Sequence, residues 1–149
     1  MENKKPIRSY RDLDVYQSSY QAAILVARNI LPKLPDHEKF DLRDQLSRST
    51  KAIPRLIAEG FAKKHQKAGF QKYLDDAMAE ANESQVGLEQ IKDIYQIEVK
   101  LCEDLVAKYE IIAKQLFNLA EAWSRFTARR NSPNNQKPTT PPIAMPNNH

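Results

Sequence analysis

Three cations stand at helical spacing in the middle of the chain: Arg48, Lys51 and Arg55, at i, i+3 and i+7. Residues spaced this way share one side of a helix, so the three side chains project together. Arg43 lies just upstream, Lys63, Lys64 and Lys67 follow downstream, and Lys72 comes a turn later. Positive charges so arranged suit phosphate oxygens. The chemistry expected of Arg43, Arg48, Lys51, Arg55, Lys63, Lys64 and Lys67 is therefore contact with an RNA or DNA backbone, with no motif for reading bases. For Lys63 and Lys64 there is a plainer role, complementing the negative end of the helix they follow. Their concentration argues for more than solubility. Residues 39–72 hold nine Lys/Arg against three acids, a net +6, while residues 73–121 hold four lysines against eleven acids, a net −7. Residues 122–149 add four Lys/Arg and no acid. Such segregation implies a basic face beside an acidic one. It has a second use: the basic face of one copy can meet the acidic face of the next in a heterologous, ring-closing contact.

Reactive groups are sparse. The histidines are His37, His65 and His149, and the residues three before the first two are Leu34 and Ala62, so no Glu-x-x-His metal pair exists. Cys102 has no histidine at helical spacing and reads as a small core residue. There is no glycine-rich phosphate loop and no Gly-x-Ser-x-Gly elbow. Glu80 and Glu83 share a helix turn, but on the side away from the apolar stripe, where acids form a solvated face. The expectation is a protein that is not an enzyme and carries no metal or cofactor.

The elements that position these cations are helical. With three glycines in 149 residues, the composition favours helix over sheet. Residues 1–12 are expected to be a loosely held, flexible segment. From Asp14, the positions Tyr16, Tyr20, Ala23, Ile24, Ala27, Ile30 and Leu31 form one apolar stripe, with Asp12 or Asp14 to cap it and Pro32 and Pro35 to close it. A second helix carries Phe40, Leu42, Leu46, Ile53, Leu56 and Ile57 toward Gly60, which suits a left-handed C-terminal position. Pro54 sits inside this helix, so a bend is expected there, with Ser49, Thr50 or a water serving the freed carbonyl of Thr50. A third helix begins between Gln66 and Phe70 and turns Phe70, Tyr73, Leu74, Ala77, Ala81, Ser84, Leu88, Ile91 and Ile94 or Tyr95 inward. A fourth runs through Leu101, Leu105, Tyr109, Ile112, Ala113, Leu116, Leu119, Ala120, Trp123 and Phe126. No glycine or proline separates these two, so their boundary near 95–98 is the weakest. Tyr10, Tyr16, Tyr20 and the aromatics of the fourth helix supply more apolar surface than one core needs. Residues 131–149, with five prolines and five asparagines, are expected to form a disordered tail. The fold class expected is all-α, an antiparallel up-down four-helix bundle over residues 13–130. The lone cysteine fits a reducing compartment, and no apolar run has signal-peptide or membrane-span length, so a soluble cytoplasmic protein with no membrane contact is expected.

Several runs carry a family likeness. Tyr10-Arg11-Asp12-Leu13-Asp14-Val15-Tyr16-Gln17 is similar to the opening of the four-helix-bundle family of 23S rRNA intervening-sequence proteins. Gln45-Leu46-x-Arg48 with Ile53-Pro54-x-x-Ile57-Ala58-Glu59-Gly60-Phe61 resembles that family's most distinctive segment. Phe70-x-x-Tyr73-Leu74-x-x-Ala77 and Glu80-x-x-Glu83 continue the likeness, which covers roughly residues 10–126. The glycine that precedes the family's fourth helix has no counterpart here. The resemblance implies a small non-enzymatic bundle assembled as a homopentameric ring. The family includes the accessory variability determinant of diversity-generating retroelements, so it also implies a basic surface for nucleic acid and a reverse transcriptase as partner. Arg48, Lys63 and Lys64 are the cations that match.

Overall fold

In the computed structural model, which describes residues 6–130, four helices account for most of the described chain: α1 (Asp14–Asn29), α2 (Leu42–Ala62), α3 (Gly69–Gln90) and α4 (Val99–Arg130). There is no strand among the described residues. The expected tail at 131–149 lies outside them, as do residues 1–5. Each helix packs on its two neighbours in a closed square, α1 on α2, α2 on α3, α3 on α4 and α4 on α1, with the α2–α3 and α3–α4 seams the broadest. This is the four-helix bundle that the periodicity predicts.

The core side chains follow that periodicity on three helices. Leu46, Ile53 and Ile57 of α2, Phe70, Leu74, Ala77, Ala81 and Leu88 of α3, and Leu105, Tyr109, Ile112 and Leu116 of α4 are all essentially sequestered from solvent. Fully burying a leucine or phenylalanine is worth about 1.5–3 kcal/mol, so this stripe dominates stability. The α2–α3 seam is close enough for small polar groups to meet inside it. Ser84 Oγ donates to Ser49 Oγ (2.9 Å), and Ser49 in turn donates to the carbonyl of Leu46 (3.3 Å).

Several local expectations are corrected. On α1 the buried face is Val15, Ser19, Ala22, Ala23 and Val26; of the expected stripe Ala23, Ile30 and Leu31 are buried, while the rest of the core face lies one position round from it. Tyr16, Ile24 and Ala27 are half-buried and Tyr20 is 48% exposed. Small residues face the core because they let α1 approach, and the tyrosine stripe is left looking sideways. Asp12 does not cap α1. Its carboxylate accepts from the N–H groups of Arg8 (2.8 Å) and Ser9 (2.9 Å), closing a capped turn at Tyr10–Asp12 inside the segment expected to be flexible. Phe40 is 87% exposed, because α2 starts only at Leu42 and the preceding Asp36–Glu38 is a separate 3-10 turn.

Gly60 is not a left-handed terminus either. It lies inside α2, which runs on to Ala62, and a Cβ there would sit 2.6 Å from Tyr73 Cβ. Its role is close approach of α2 to α3. Pro54 is buried within α2. The neighbouring hydroxyls serve the turn before the freed carbonyl, Thr50 Oγ1 donating to the carbonyls of Leu46 (2.8 Å) and Ser47 (3.3 Å).

The α3–α4 boundary falls where the sequence leaves it weakest. A π-type turn at Ile91–Tyr95 ends α3, and Gln96 (φ 54°) and Glu98 (φ 45°) then take left-handed backbone without a glycine. Side-chain ties hold this corner to the α1–α2 link at the same end of the bundle. Lys33 pairs with Glu98, and His37 Nε2 lies 2.9 Å from the hydroxyl of Tyr95.

Candidate nucleic-acid interface

The seven cations singled out by spacing do not form one patch. Lys51 and Arg55 are exposed on α2 and border a groove between α2 and α1. Its other wall is the stripe of α1, Tyr16, Tyr20, Ala23, Ile24 and Ala27, with Tyr10 at one end and the buried Pro54 and half-buried Ala58 of α2 in the lining. The groove encloses about 410 Å³. The three tyrosines form a ladder, Tyr10 to Tyr16 at 4.8 Å edge-on and Tyr16 to Tyr20 at 6.0 Å tilted. Arg11 stacks 4.6 Å above the ring of Tyr10, extending the positive charge beyond the groove's end. Aromatic faces flanked by cations are the elements from which sequence-tolerant single-strand sites are made: bases stack, and phosphates meet the charges.

The remaining cations are placed differently. Arg48 does not line the groove; its Nε lies 3.4 Å from Asp44 Oδ2, and it is close enough to Glu80 of α3 to oppose the upward shift of that carboxyl. That shift comes first from burial and next from Glu83. Lys63 donates to the hydroxyl of Tyr73 and lies 3.9 Å from Glu59, so it ties the end of α2 to α3. The hydrogen bond to Tyr73 holds its ammonium above the usual lysine range. Glu59, an acid near a helix C-terminus, thereby has a cation beside it that offsets the unfavourable dipole. Arg43 is half-buried near the start of α2 and borders neither the groove nor the turn. Lys64 and Lys67, with His65, surround a second cavity at the α2–α3 turn, where they meet Arg130 from the end of α4.

Sequence spacing thus finds the cations of the groove but not its aromatic wall. The signal available was the surplus of Tyr10, Tyr16 and Tyr20 over what one core can bury. Arg130 could not be found that way, because nothing in the sequence links it to the turn at 63–67. Among the described residues no cluster of His, Cys, Asp and Glu is arranged to hold a metal ion, and no helix is long and apolar enough to cross a membrane.

Comparison with known proteins adds a family. The sequence model of the 23S rRNA-intervening sequence proteins matches residues 11–118. A crystal structure of a protein of unknown function from the S23 ribosomal protein family of Bacteroides thetaiotaomicron superposes with a TM-score of 0.63 at 25% identity, over 72% of this chain and 95% of that one. No curated protein matches.

Proposed function

The chain belongs to the family of 23S rRNA-intervening sequence proteins, and from that premise we propose that it is a non-catalytic, nucleic-acid-binding accessory protein that takes single-stranded RNA or DNA in the α1–α2 groove. The observation that carries this reading is the tyrosine ladder facing Lys51 and Arg55 across about 410 Å³. One or two unpaired bases stack on Tyr16 and Tyr20, and the flanking phosphates meet Lys51, Arg55 and Arg11. Base–aromatic stacking is worth about 1–3 kcal/mol per base, so the ladder supplies affinity that a charged surface alone lacks. The three cations at the α2–α3 turn and the end of α4, Lys64, Lys67 and Arg130, extend the positive surface.

The test is fluorescence anisotropy with a labelled oligouridylate at several salt concentrations. Affinity is expected to fall steeply with salt, to drop at least about tenfold in Lys51→Glu/Arg55→Glu, and to drop again in Tyr20→Ala. Unchanged binding in the double variant would refute the groove as the site. Arg48→Glu is expected to do less, since Asp44 already pairs with that guanidinium.

A homopentameric ring is part of the same proposal. Tyr20 and Leu25 of α1 and Val86, Ile111 and Phe117 of α3 and α4 are large apolar side chains more than 40% exposed, more than an isolated bundle of this size needs. Native mass measurement tests it. The likeness of Ile53–Phe61 to the family's distinctive segment extends the proposal to a reverse transcriptase as partner, tested by co-purification with the enzyme in the presence and absence of nuclease. The alternative role is a purely structural bundle, whose charges and exposed apolar residues serve subunit contacts. It predicts that Lys51→Glu/Arg55→Glu lowers the native mass and that the unaltered protein leaves the oligouridylate unbound.

A further inference from the structure

The tyrosine end of the α1–α2 groove and the end of α4 lie toward the same end of the bundle. At the other end the α1–α2 link and the α3–α4 corner are tied together, Lys33 to Glu98 and His37 to Tyr95. The start of α1, the α2–α3 turn and the end of α4 therefore share the opposite end. There Phe61, Phe70 and Trp123 pack edge-on in series, and Arg130 meets Lys64 and Lys67. The sequence continues past Arg130 through residues 131–149, which lie outside the described residues. Helices in a bundle stand about 8–10 Å apart, and α4 packs directly on α1, so about two spacings separate the last turn of α4 from the groove. Residues 131–137 can span up to about 23 Å when extended. The stretch that first reaches the tyrosine wall is then Pro138-Thr139-Thr140-Pro141-Pro142.

The groove and this stretch match in spacing and in hydrogen-bonding sense. Pro138 and Pro141 stand three residues apart, one turn of a polyproline II helix, so their rings would share one edge of it. Proline fixes φ close to that conformation, which lowers the entropy lost on docking. Segments of this pattern dock in grooves lined by aromatic side chains, and Tyr10, Tyr16 and Tyr20 line this one. Prolines bring carbonyls without N–H groups, and polyproline II leaves every carbonyl free for an outside donor. The groove supplies donors. Lys51, Arg55 and the tyrosine hydroxyls can all give a proton, and no carboxylate or amide side chain is among the lining residues. We infer that the groove is the docking site for residues 138–142 of the same chain. The proline rings lie on Tyr16 and Tyr20, and Lys51 and Arg55 donate to the carbonyls between them. A tether of this length gives an effective concentration on the order of 1 mM, so an affinity of only about 0.1 mM fills about nine-tenths of the grooves. The docking stands whether or not the groove takes nucleic acid. Its consequence, that the segment masks the groove from a strand, rests on the function proposed above.

Paramagnetic relaxation on the full chain, read by methyl NMR with a nitroxide on Thr139→Cys, tests the inference. Cys102 is buried and stays unlabelled. The methyls of Ala23, Ile24 and Ala58 in the groove are expected to broaden, and those of Val86 on α3 and Ile111 on α4 to broaden far less. Pro138→Ser/Pro141→Ser/Pro142→Ser leaves residues 6–130 unaltered and should remove that selectivity, as should Tyr20→Ala. The same three-proline exchange in the unlabelled chain is expected to raise affinity for the oligouridylate about tenfold. Broadening that is even over all these methyls, or that survives the proline exchange, overturns the docking. Equal broadening when an isotope-labelled chain is mixed with a spin-labelled one assigns the groove to a neighbouring copy's segment and overturns docking within the chain. Selective broadening in a protein that leaves oligouridylate unbound upholds the docking and refutes the nucleic-acid reading. Oligouridylate binding that the proline exchange leaves unchanged refutes the masking.

Discussion

Tyr109 shows how a single atom can stand apart from the packing around it. Its ring is fully buried in the core, yet its hydroxyl has no hydrogen-bond partner among the described residues, and burial pushes the phenol far above its usual range. An unsatisfied buried hydroxyl costs about 1–3 kcal/mol, whereas the ring's apolar contacts survive its removal. Tyr109→Phe is therefore expected to raise the denaturant midpoint, by about 1 kcal/mol in stability. A loss of stability in that variant would mean that the hydroxyl is engaged. Gly60 makes the opposite case. Alanine is about 1 kcal/mol better than glycine within a helix. Here its Cβ would fall 2.6 Å from Tyr73 Cβ and 3.1 Å from the Phe70 ring, and neither is the free end of a flexible chain. Overpacking of this kind costs about 1–3 kcal/mol, so Gly60→Ala is expected to destabilise despite its better helix propensity, as urea unfolding will read. The sequence makes both residues conspicuous, but their surroundings give them their meaning. Gly60 reads as a helix stop until the position of Tyr73 is known.

At the scale of elements, the four helices and the core faces of α2, α3 and α4 were legible from spacing, because their large aliphatic residues recur at the helical period with few competitors. The inward face of α1 was legible only at its C-terminal end, where Ala23, Ile30 and Leu31 are buried as their spacing predicts. Elsewhere on α1 the largest apolar residues, Tyr16, Tyr20 and Ile24, form a plausible stripe, while the residues that pack are Val15, Ser19, Ala22 and Val26. Size is a poor guide where a helix must come close to its neighbours, and the stripe left outside became the wall of the groove. The α3–α4 corner was legible only as a place of uncertainty, since nothing in its residue types stops a helix. The chain turns there by placing Gln96 and Glu98 at positive φ, a conformation that costs an ordinary residue roughly 1–2 kcal/mol. Replacing Gln96 with glycine removes that strain and adds roughly 0.5–1 kcal/mol of backbone entropy to the unfolded chain. The balance favours the variant. Gln96→Gly is expected to raise the melting temperature slightly, and a fall would show that the Gln96 side chain has a role that outweighs the strain.

The charge pattern belongs to the whole molecule, and folding changes what it means. In the sequence the basic and acidic stretches are consecutive. In the bundle they become adjacent seams, because α2 packs on α3, and Arg48 ends up beside the acids it was set apart from. Glu80 records this. Its carboxyl is raised first by burial, then by repulsion and a shared hydrogen bond with Glu83 and further by Asp76, while Arg48 only partly opposes the rise. The folded chain thus holds this proton more tightly than the unfolded chain, whose value is near 4.5. The stabilisation from Glu80 is therefore fully present below that value and is lost as pH rises through the raised folded value. Glu80→Gln keeps the shape and removes the charge. It is expected to raise the melting temperature at neutral pH, to do little near about pH 4, and to flatten the fall in stability between the two. The same variant separates the two uses of the charge split. If the acidic seam lies against a neighbouring subunit's cations, removing one acid weakens the ring and lowers its mass at neutral pH even as each bundle becomes more stable. If the seam faces solvent and the basic groove takes nucleic acid, the ring is unaffected, and oligonucleotide affinity holds or rises slightly as a repelling charge disappears.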